Sequence, residues 1–269
     1  MRSLFAVIYS ERKPLAVEAS EKVRRFLEDR GFRVVLHDSR WVLGNKLPSG
    51  LEAVVVLGGD GTLLRTLGAL PDLRTPILAV NYGRGGYLMY VEPEMLEHAL
   101  DSLVKGEYDF KEAMMLRFSV SGHIVGDALN EGYLSAKIPG KVIELRVYKD
   151  DVKLMETVAD GVIVSTPLGS TAYAYSAGGP VVEDDVEATI LVPVCPLKAV
   201  RALILSMREP IRIHAESETG FQLLIDGYIR RVFDEEALKL EIRKSENRVR
   251  FLATGSRESF AKRVWKRFR

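Results

Sequence analysis

Five consecutive apolar residues, AVVVL at 53–57, run directly into the segment GGDGT at 58–62, which we call the glycine loop. An apolar run of this length, ended by glycines and followed by the helical pattern TLLRTLGAL, is typical of a strand buried on both faces of a parallel sheet. A plain turn needs one glycine or two. Three glycines around one carboxylate therefore indicate that something large approaches the backbone here.

The first hundred residues repeat this alternation of strand and helix. Strand patterns occur at SLFAVIYS, FRVVLHD, EAVVVLG and PILAVN, and helical patterns at LAVEASEKVRRFLEDRG, TLLRTLGAL and EPEMLEHALDSLVKGEY, the last beginning near Pro93. Strands separated by helices predict a parallel sheet covered on both faces. We therefore expect a Rossmann-like α/β domain over residues 1–109.

From about residue 110 the pattern changes to short segments that alternate apolar and polar residues, with turn residues between them. This is typical of half-buried antiparallel strands, so residues 110–252 are expected to form an all-β domain. The end of the chain returns to a helical pattern, with Phe260, Val264 and Phe268 on one face among Lys and Arg. A basic amphipathic helix contacts a membrane, nucleic acid or its own protein, and we expect packing on its own protein.

Composition argues against several classes of partner. The formal net charge is +1, so no overall field attracts nucleic acid, and no apolar run approaches the roughly 20 residues of a membrane span. The single cysteine, Cys195, excludes an internal disulfide and fits a reducing cytoplasm, and its apolar neighbours predict a buried structural thiol. Abundant Lys, Arg and Glu beside a single glutamine are consistent with a heat-adapted source.

The glycine loop differs from the common phosphate-binding motifs. The sequence has no GxxxxGK[ST] loop, no GxGxxG after the first strand, no GxSxG elbow, and no histidine with metal-ligand spacing. Glycines at the carboxyl end of a parallel strand let backbone N–H groups face phosphate oxygens, and the next helix N-terminus adds positive potential. Because a carboxylate would repel phosphate, Asp60 fits a contact to an acceptor hydroxyl or to a phosphate-bridging metal. The alternative is a tight βα turn in which Asp60 only caps the helix.

A second polar segment follows another apolar strand pattern, at 160–180. It holds Asp160-Gly161 and then a series of small hydroxyl residues around Tyr173. Such residues suit a polar organic ligand that has a ring to stack and hydroxyls to bind. Taken alone, the segment also fits a turn in a β domain.

Together these segments resemble the NAD kinase family. The resemblance is carried by GGDGT at 58–62, NYGRGGYL at 81–88, LNEG with Asn130 and Glu131, and DGVIVSTPLGSTAYAYSAGGP at 160–180. The pair Asp226-Gly227 and the tail around SFAKRVWKRF are also similar, so the likeness covers nearly the whole chain. It implies an α/β domain, a β-sandwich-like domain, and a C-terminal segment, 253–269, that returns to the first domain. Gly132 departs from the family, which usually has an apolar residue there.

The resemblance also implies a function. The family transfers a phosphoryl group from ATP or polyphosphate to the 2′-hydroxyl of the adenosine ribose of NAD, giving NADP. Mg²⁺ or another divalent cation accompanies the donor, and the chain is expected to be a cytoplasmic homodimer or homotetramer that binds neither nucleic acid nor membrane. Asp60 matches the catalytic aspartate. The remaining matched residues are Gly58, Gly59, Gly61 and Thr62 for the donor phosphates, and Asn130, Glu131, Asp160, Thr171, Ala172, Tyr173 and Ser176 for NAD. Arg65 and Asp226 are further candidates, and no protein ligand of the metal is named.

Two other functions stay open at this point. A lipid kinase of the diacylglycerol or sphingosine type shares GGDGT, but carries a later GTxND segment where this chain has NYGRGGYLMY, and it leaves 160–180 unexplained. A non-catalytic NAD(P)-binding module would use Asp60 only as a helix cap. Within the kinase hypothesis, the donor, acceptance of NADH, dimer against tetramer, and a binding or structural role for Asp226 stay open.

Overall fold

The computed structural model describes residues 3–253 and 259–268. It divides into two compact units, 1–113 with 248–269, and 114–247. The elements in chain order are β1 (Leu4–Tyr9), α1 (Pro14–Glu28), β2 (Arg33–Asp38), β3 (Leu51–Gly58), α2 (Asp60–Ala69), β4 (Ile77–Asn81), α3 (Leu96–Lys105), β5 (Asp109–Val120), β6 (His123–Ala128), β7 (Glu131–Ala136), β8 (Ile143–Lys149), β9 (Val152–Ala159), β10 (Gly161–Ser165), α4 (Tyr173–Ser176), β11 (Ala188–Val194), β12 (Leu203–Ser206), β13 (Ile211–Glu216), β14 (Phe221–Ile225), β15 (Tyr228–Phe233), β16 (Ala237–Ala253) and α5 (Phe260–Phe268).

The first unit is built on a parallel sheet in the order β2-β1-β3-β4, and the end of β16 lies beside β4 with Phe251 opposite Ile77. The last six residues of β3 are all buried, as its unbroken apolar sequence predicts. Helix α1 starts with Pro14 at its first turn and covers the sheet with an apolar face that includes Val23 and Leu27. These features confirm the predicted Rossmann-like α/β architecture.

The second unit is a sandwich of two antiparallel sheets. One sheet has the order β12-β11-β10-β7-β14-β15, and the other joins β16, β13, β8 and β9. Burial alternates along β13 and β14, so each strand turns one face inward. Large side chains such as Phe118, Phe221 and Ile213 from both sheets form one core. The predicted β-sandwich-like class is confirmed.

Local details differ from the sequence-based expectations. The helix expected from Pro93 begins as a 3-10 turn, Pro93–Met95, and becomes α-helical at Leu96, a common arrangement at helix N-termini. Cys195, expected to be buried, is exposed, because the chain leaves β11 there in a left-handed turn with φ 48°. The unit boundaries near 113 and 247 fall inside β5 and β16, and the boundaries expected at 109 and 252 lie in the same two strands.

Helix α5 belongs to the first unit. Its buried residue is Arg263, and Phe268, placed by the sequence on the apolar packing face, is 41% exposed. The helix therefore turns a cation inward. Within residues 3–253 and 259–268, no helix combines the length and apolar character needed to cross a membrane.

Candidate active site

The glycine loop joins β3 to α2, so it lies at the carboxyl end of a buried parallel strand. Gly58 ends the strand, Gly59 is the N-cap of α2, and Asp60 is its first residue. A Cβ on Gly58 would lie 2.5 Å from Thr62 Oγ1, whereas one on Gly61 would meet nothing within 4 Å. Packing therefore requires glycine at 58, and the exposed backbone at 61 is open to a ligand. The first N–H groups of a helix have no intrahelical partner, which makes this a site for anionic oxygens.

The Asp60 carboxylate is held by a neighbouring loop. The Leu88 N–H donates to Asp60 Oδ1 at 2.9 Å, and the Tyr87 N–H donates to Oδ2 at 3.2 Å. Asp60 stands one residue past the N-cap, Gly59, and makes these bonds outside its own helix. The carboxylate is thus fixed in orientation, which the helix-cap alternative does not explain.

Burial raises the pKa of Asp60 above its usual value, although the N–H groups of Leu88 and Tyr87 and the positive charge of Arg267 oppose the shift. A carboxylate with a raised pKa is a stronger base than one in water. The aspartate therefore combines a fixed orientation with increased basicity, both of which proton acceptance requires.

The segment NYGRGGYL at 81–88 builds the loop that holds Asp60. Asn81 ends β4, and its Oδ1 accepts the Gly83 N–H at 3.0 Å. A Cβ on Gly83 would lie 3.0 Å from Gly59 Cα, and one on Gly86 would lie 2.6 Å from Asn81 Oδ1. Gly83 therefore allows the two loops to lie backbone to backbone, and Gly86 leaves room for the Asn81 side chain. The sequence showed this segment only as part of a resemblance. The available signal was that it follows the strand adjacent to β3, so both loops lie at the same edge of the sheet.

Arg65 lies on α2 and reaches the carboxyl ends of β1 and β2. Its Nη1 donates to Ser39 Oγ at 3.1 Å, and Ser39 Oγ donates to Glu11 Oε2 at 2.8 Å. Arg40 Nε also donates to Glu11, at 2.8 Å. The structure therefore gives Arg65 a place in a polar network that ties α2 to the edge of the sheet.

In the second unit, Asp226 positions the segment that carries Asn130 and Glu131. Its carboxylate accepts three backbone N–H groups, from Leu129 at 2.8 Å, Asn130 at 2.7 Å and Glu131 at 3.2 Å. Asp226 and Gly227 have φ 50° and 83° and form the two-residue turn of the β14–β15 hairpin. The buried Asp226 carboxylate thus holds the backbone of residues 129–131, which favours a positioning role for this residue.

Two hydroxyl residues that the sequence analysis did not single out support the same segment, Ser165 at the end of β10 and Thr166 directly after it. Thr166 Oγ1 donates to the Leu129 carbonyl at 2.6 Å and accepts the Gly169 N–H at 3.0 Å. Ser165 Oγ donates to the Asn130 carbonyl at 3.0 Å. A Cβ on Gly169 would lie 2.5 Å from that carbonyl oxygen, so the 160–180 motif packs directly on Asn130. In the sequence, the pair Ser165-Thr166 at the end of an apolar strand was the available signal for this supporting role.

Two acceptor atoms in this region are buried and have no hydrogen-bond partner within the described part of the chain, Asn130 Oδ1 and Glu131 Oε2. A buried polar atom left unpaired costs about 1–3 kcal/mol, so such atoms are retained where a ligand supplies the partner. Burial, followed by the negative charge of Asp226, raises the pKa of Glu131 to about 8, while the Tyr173 N–H acts in the opposite direction. Glu131 is thus mainly protonated at neutral pH in the ligand-free chain.

The remaining candidates follow β10 in one continuous segment. Thr171 is buried at the end of a 3-10 turn, Ala172 is partly buried, and Tyr173 is 44% exposed at the start of α4. The Tyr173 ring packs edge-on against Tyr133, with centroids 5.3 Å apart. Burial, with Tyr173 and Asp160 beside it, raises the pKa of Tyr133 to about 12.

Asp160 and Ser176 are exposed near the two ends of this segment. The glycine-loop candidates lie in the first unit and the NAD-binding candidates in the second.

Gly132, which departs from the family pattern, is fully enclosed by its own unit. A Cβ there would lie 2.4 Å from the Phe118 ring. The ring therefore occupies the space that an apolar side chain at 132 would need.

The described residues do not form a metal site of their own. In 3–253 and 259–268, no three His, Cys, Asp or Glu side chains converge as metal ligands. A divalent cation bound through these residues alone does not fit, so no catalytic step is derived through a protein-held metal.

Comparison with known proteins gives matches along most of the chain. Residues 38–108 match the family model of the ATP-NAD kinase N-terminal domain, and residues 129–254 match that of the C-terminal domain. An NAD kinase from Methanopyrus kandleri is 35% identical over 252 residues, covering 90% of this chain and 89% of the relative. One from Thermococcus sibiricus is 31% identical over 264 residues, covering 94% and 95%.

Two solved structures are also similar. The crystal structure of an NAD kinase from Archaeoglobus fulgidus in complex with ATP has a TM-score of 0.76 at 30% identity, covering 98% of this chain and 99% of that one. Yeast NADH kinase complexed with NADH has a TM-score of 0.83 at 20% identity, covering 98% and 86%, which supports the fold alone.

Proposed function

This chain belongs to the ATP-NAD kinase family, and on that premise we propose that Asp60, presented by the glycine loop, is the catalytic residue in the phosphorylation of NAD to NADP. The observation that carries the proposal is the carboxylate fixed by the Leu88 and Tyr87 N–H groups at the N-terminus of α2. A non-catalytic helix cap would not need this second loop.

The donor phosphates bind at the glycine loop. The open backbone at Gly61 and the first N–H groups of α2 supply donors and positive potential for phosphate oxygens, with Gly58, Gly59 and Thr62 shaping the loop. ATP is the donor. A divalent cation bound with the ATP, Mg²⁺ by preference, would neutralise charge on the donor phosphates, and no protein ligand for it is named.

Asp60 acts on the acceptor. Its carboxylate orients the 2′-hydroxyl of the adenosine ribose and accepts the proton as the ribose oxygen bonds to the γ-phosphorus of ATP. The bond from that phosphorus to ADP breaks, so the products are NADP, ADP and a proton. Each carboxylate oxygen has a further lone pair beyond the one that receives a backbone N–H, so the loop bonds and the hydroxyl contact are compatible. Fixing the base in advance avoids reorganisation cost in the transition state.

The nucleotide is held by the second unit. Glu131 and Asn130 present the unpaired polar atoms Oε2 and Oδ1, which fit the hydroxyl and amino groups of a ribose and an adenine. Tyr173 is half-exposed beside them and suits ring stacking. The remaining contacts of this proposal are with Asp160, Thr171, Ala172 and Ser176.

The experiment measures NADP formation from NAD with Mg²⁺ and ATP, beside Asp60→Asn. Asparagine keeps one oxygen for the Leu88 N–H but sets its amide nitrogen against the Tyr87 N–H, so we expect the melting temperature to fall by several degrees while the chain stays folded. We expect kcat to fall by about 10²–10⁴-fold, the usual contribution of a positioned general base, with the KM for NAD altered only several-fold. Asp72→Asn is the matched control, because Asp72 is a surface residue bonded to Arg74 and should keep full activity.

The possible results test the NAD kinase function and the catalytic role of Asp60 separately. If the wild-type chain makes no NADP with ATP or with polyphosphate, the function is wrong. If Asp60→Asn keeps more than a tenth of the wild-type kcat, the function stands and the role of Asp60 is wrong. Product assays with diacylglycerol and sphingosine are expected to be negative, and a lipid product would favour the rival kinase class.

Assembly and location complete the proposal. We assign residues 1–109 to donor binding, 110–252 to NAD binding and 253–269 to support of the first domain, in a cytoplasmic homodimer or homotetramer. The ring of Tyr175, which is 44% exposed and is not assigned to the nucleotide, supports contact with a second copy. Light scattering coupled to size-exclusion chromatography measures the assembly, and a monomer would contradict it.

A further inference from the structure

We propose that Arg263 of helix α5 is a positioning residue that acts on Asp60 through Tyr87. The inference rests on the catalytic role of Asp60 proposed above, and it concerns a part of the chain far from Asp60 in sequence. All three residues belong to the first unit.

The geometry forms a short chain of contacts from the helix to the carboxylate. Arg263 is 8% exposed, and its guanidinium carbon lies 4.5 Å from the centre of the Tyr87 ring, which is 3% exposed. The backbone N–H of the same Tyr87 donates to Asp60 Oδ2 at 3.2 Å. Tyr87 thus links the guanidinium to the carboxylate, and a displacement of this residue would move a donor that fixes Asp60.

Burial of a guanidinium is unusual because the charged group loses its hydration. A cation above an aromatic face offsets part of that loss, and it does so more strongly at desolvated sites such as this one. The apolar residues of α5 account for only part of the packing, since Phe260 and Val264 are partly buried while Trp265 is 67% exposed and Phe268 is 41% exposed. Within Phe260–Phe268, the buried residue is Arg263.

Further contacts align α5 with the loop that holds Asp60. The Lys266 carbonyl oxygen lies 3.8 Å from the position of a Cβ on Gly85, in a turn where Gly85 has φ 65°. Lys266 Nζ also pairs with Glu92 Oε1 at 3.5 Å, just beyond the loop. The helix therefore lies close to the loop at Gly85 and is tied to the chain just beyond it at Glu92.

A small displacement of this loop is expected to reduce catalysis. Misplacement of a catalytic group by about 1 Å costs on the order of 100-fold in rate, and a partial release costs less. We therefore expect loss of the Arg263–Tyr87 stack to reduce kcat by about tenfold, with little change in the KM for ATP or NAD. A role limited to stability would lower the melting temperature and leave kcat unchanged.

The experiment uses the full chain with Arg263→Met, which keeps the length without the charge, and Arg263→Lys, which keeps the charge without the planar group. Trp265→Ala, on the exposed face of the same helix, is the control and should retain wild-type kcat. The rates of backbone hydrogen exchange at Tyr87 and Leu88 report how firmly the loop is held, independently of activity. We expect faster exchange at both amides in Arg263→Met, an intermediate rate in Arg263→Lys, and the wild-type rate in Trp265→Ala.

A double-mutant cycle with Asp60→Asn tests whether the effect of Arg263 on kcat depends on Asp60. If Arg263 acts through Asp60, Arg263→Met lowers kcat about tenfold in the wild-type background and less than twofold in the Asp60→Asn background. Equal effects in both backgrounds, or a kcat within twofold of wild type for Arg263→Met, would overturn the proposal. If Arg263→Met fails to fold, the same comparison with Arg263→Lys decides. If the wild-type chain makes no NADP, the proposed function is wrong. If exchange at Tyr87 and Leu88 is unchanged in Arg263→Met, the positioning role of Arg263 is wrong, whatever the outcome for the function.

Discussion

Replacing Asp226 with asparagine isolates the bonds that position the nucleotide-binding segment. Asparagine keeps the size of the side chain and its tolerance of the left-handed turn, in which Asp226 has φ 50°. The Asn130 and Glu131 N–H groups both donate to Oδ1, so the amide oxygen of asparagine can still accept them. The amide nitrogen then replaces Oδ2 and meets the Leu129 N–H, donor against donor.

The expected loss of stability follows from these contacts. Leaving the buried Leu129 N–H unsatisfied costs about 1–3 kcal/mol, and the two remaining bonds weaken by about 1 kcal/mol each when their acceptor loses its charge. Because such terms do not add fully, we expect a loss of about 2–4 kcal/mol in the free energy of unfolding. For a chain of this size the melting temperature should fall by about 5–10 °C.

The assay pairs thermal denaturation with the KM for NAD. Asp234→Asn is the matched control, because Asp234 lies just after the same hairpin in an ion pair with Lys137 and its side chain is 83% exposed. Such surface pairs contribute about 0–1 kcal/mol. For Asp226→Asn we expect the lower melting temperature together with a raised KM for NAD. Equal melting temperatures for the two variants, with an unchanged KM, would refute the positioning role of Asp226.

Three further predictions concern the glycines and the buried acid. Gly58→Ala should destabilise the chain, because its Cβ would lie 2.5 Å from a neighbouring side chain, whereas Gly61→Ala has free space and should fold normally while raising the KM for ATP. Thermal melts and ATP titrations compare the two, and equal melting temperatures would contradict the first. Gly132→Val should destabilise, and Phe118→Ala in the same chain should partly restore stability by removing the ring 2.4 Å from that Cβ; no restoration would refute the packing argument. Because burial raises the pKa of Glu131 from 4.5 to about 8, its contribution to stability is complete below about pH 4.5 and is lost as the pH rises through 8. Urea titrations across that window should show Glu131→Gln becoming steadily more stable relative to wild type, and a constant difference would contradict the raised pKa.

Local sequence patterns predicted the elements on which the site is built. The apolar run before the glycine loop required a buried strand, and the burial of all six residues from 53 to 58 bears this out. The pattern of apolar and polar residues gave wrong predictions of burial at two places, Cys195 and helix α5. Cys195 follows an apolar strand yet is exposed, because a left-handed turn directs the chain outward there. The apolar spacing in α5 suggested an inward face, yet Arg263 is the buried residue, since an aromatic ring in the adjacent loop can stack against its guanidinium.

The sequence by itself determined the two fold classes, the position of the glycine loop at a strand end, and the resemblance to the NAD kinase family, because these depend on local periodicity and on motif order. The tertiary structure decided which partner each polar group has. Leu88 lies 28 residues from Asp60, and Asp226 lies 97 residues from Leu129, and only the adjacency of strands in the sheets brings each pair within hydrogen-bond distance. Buried donors and acceptors must be paired wherever the chain brings them together, and that constraint is not visible along a single sequence.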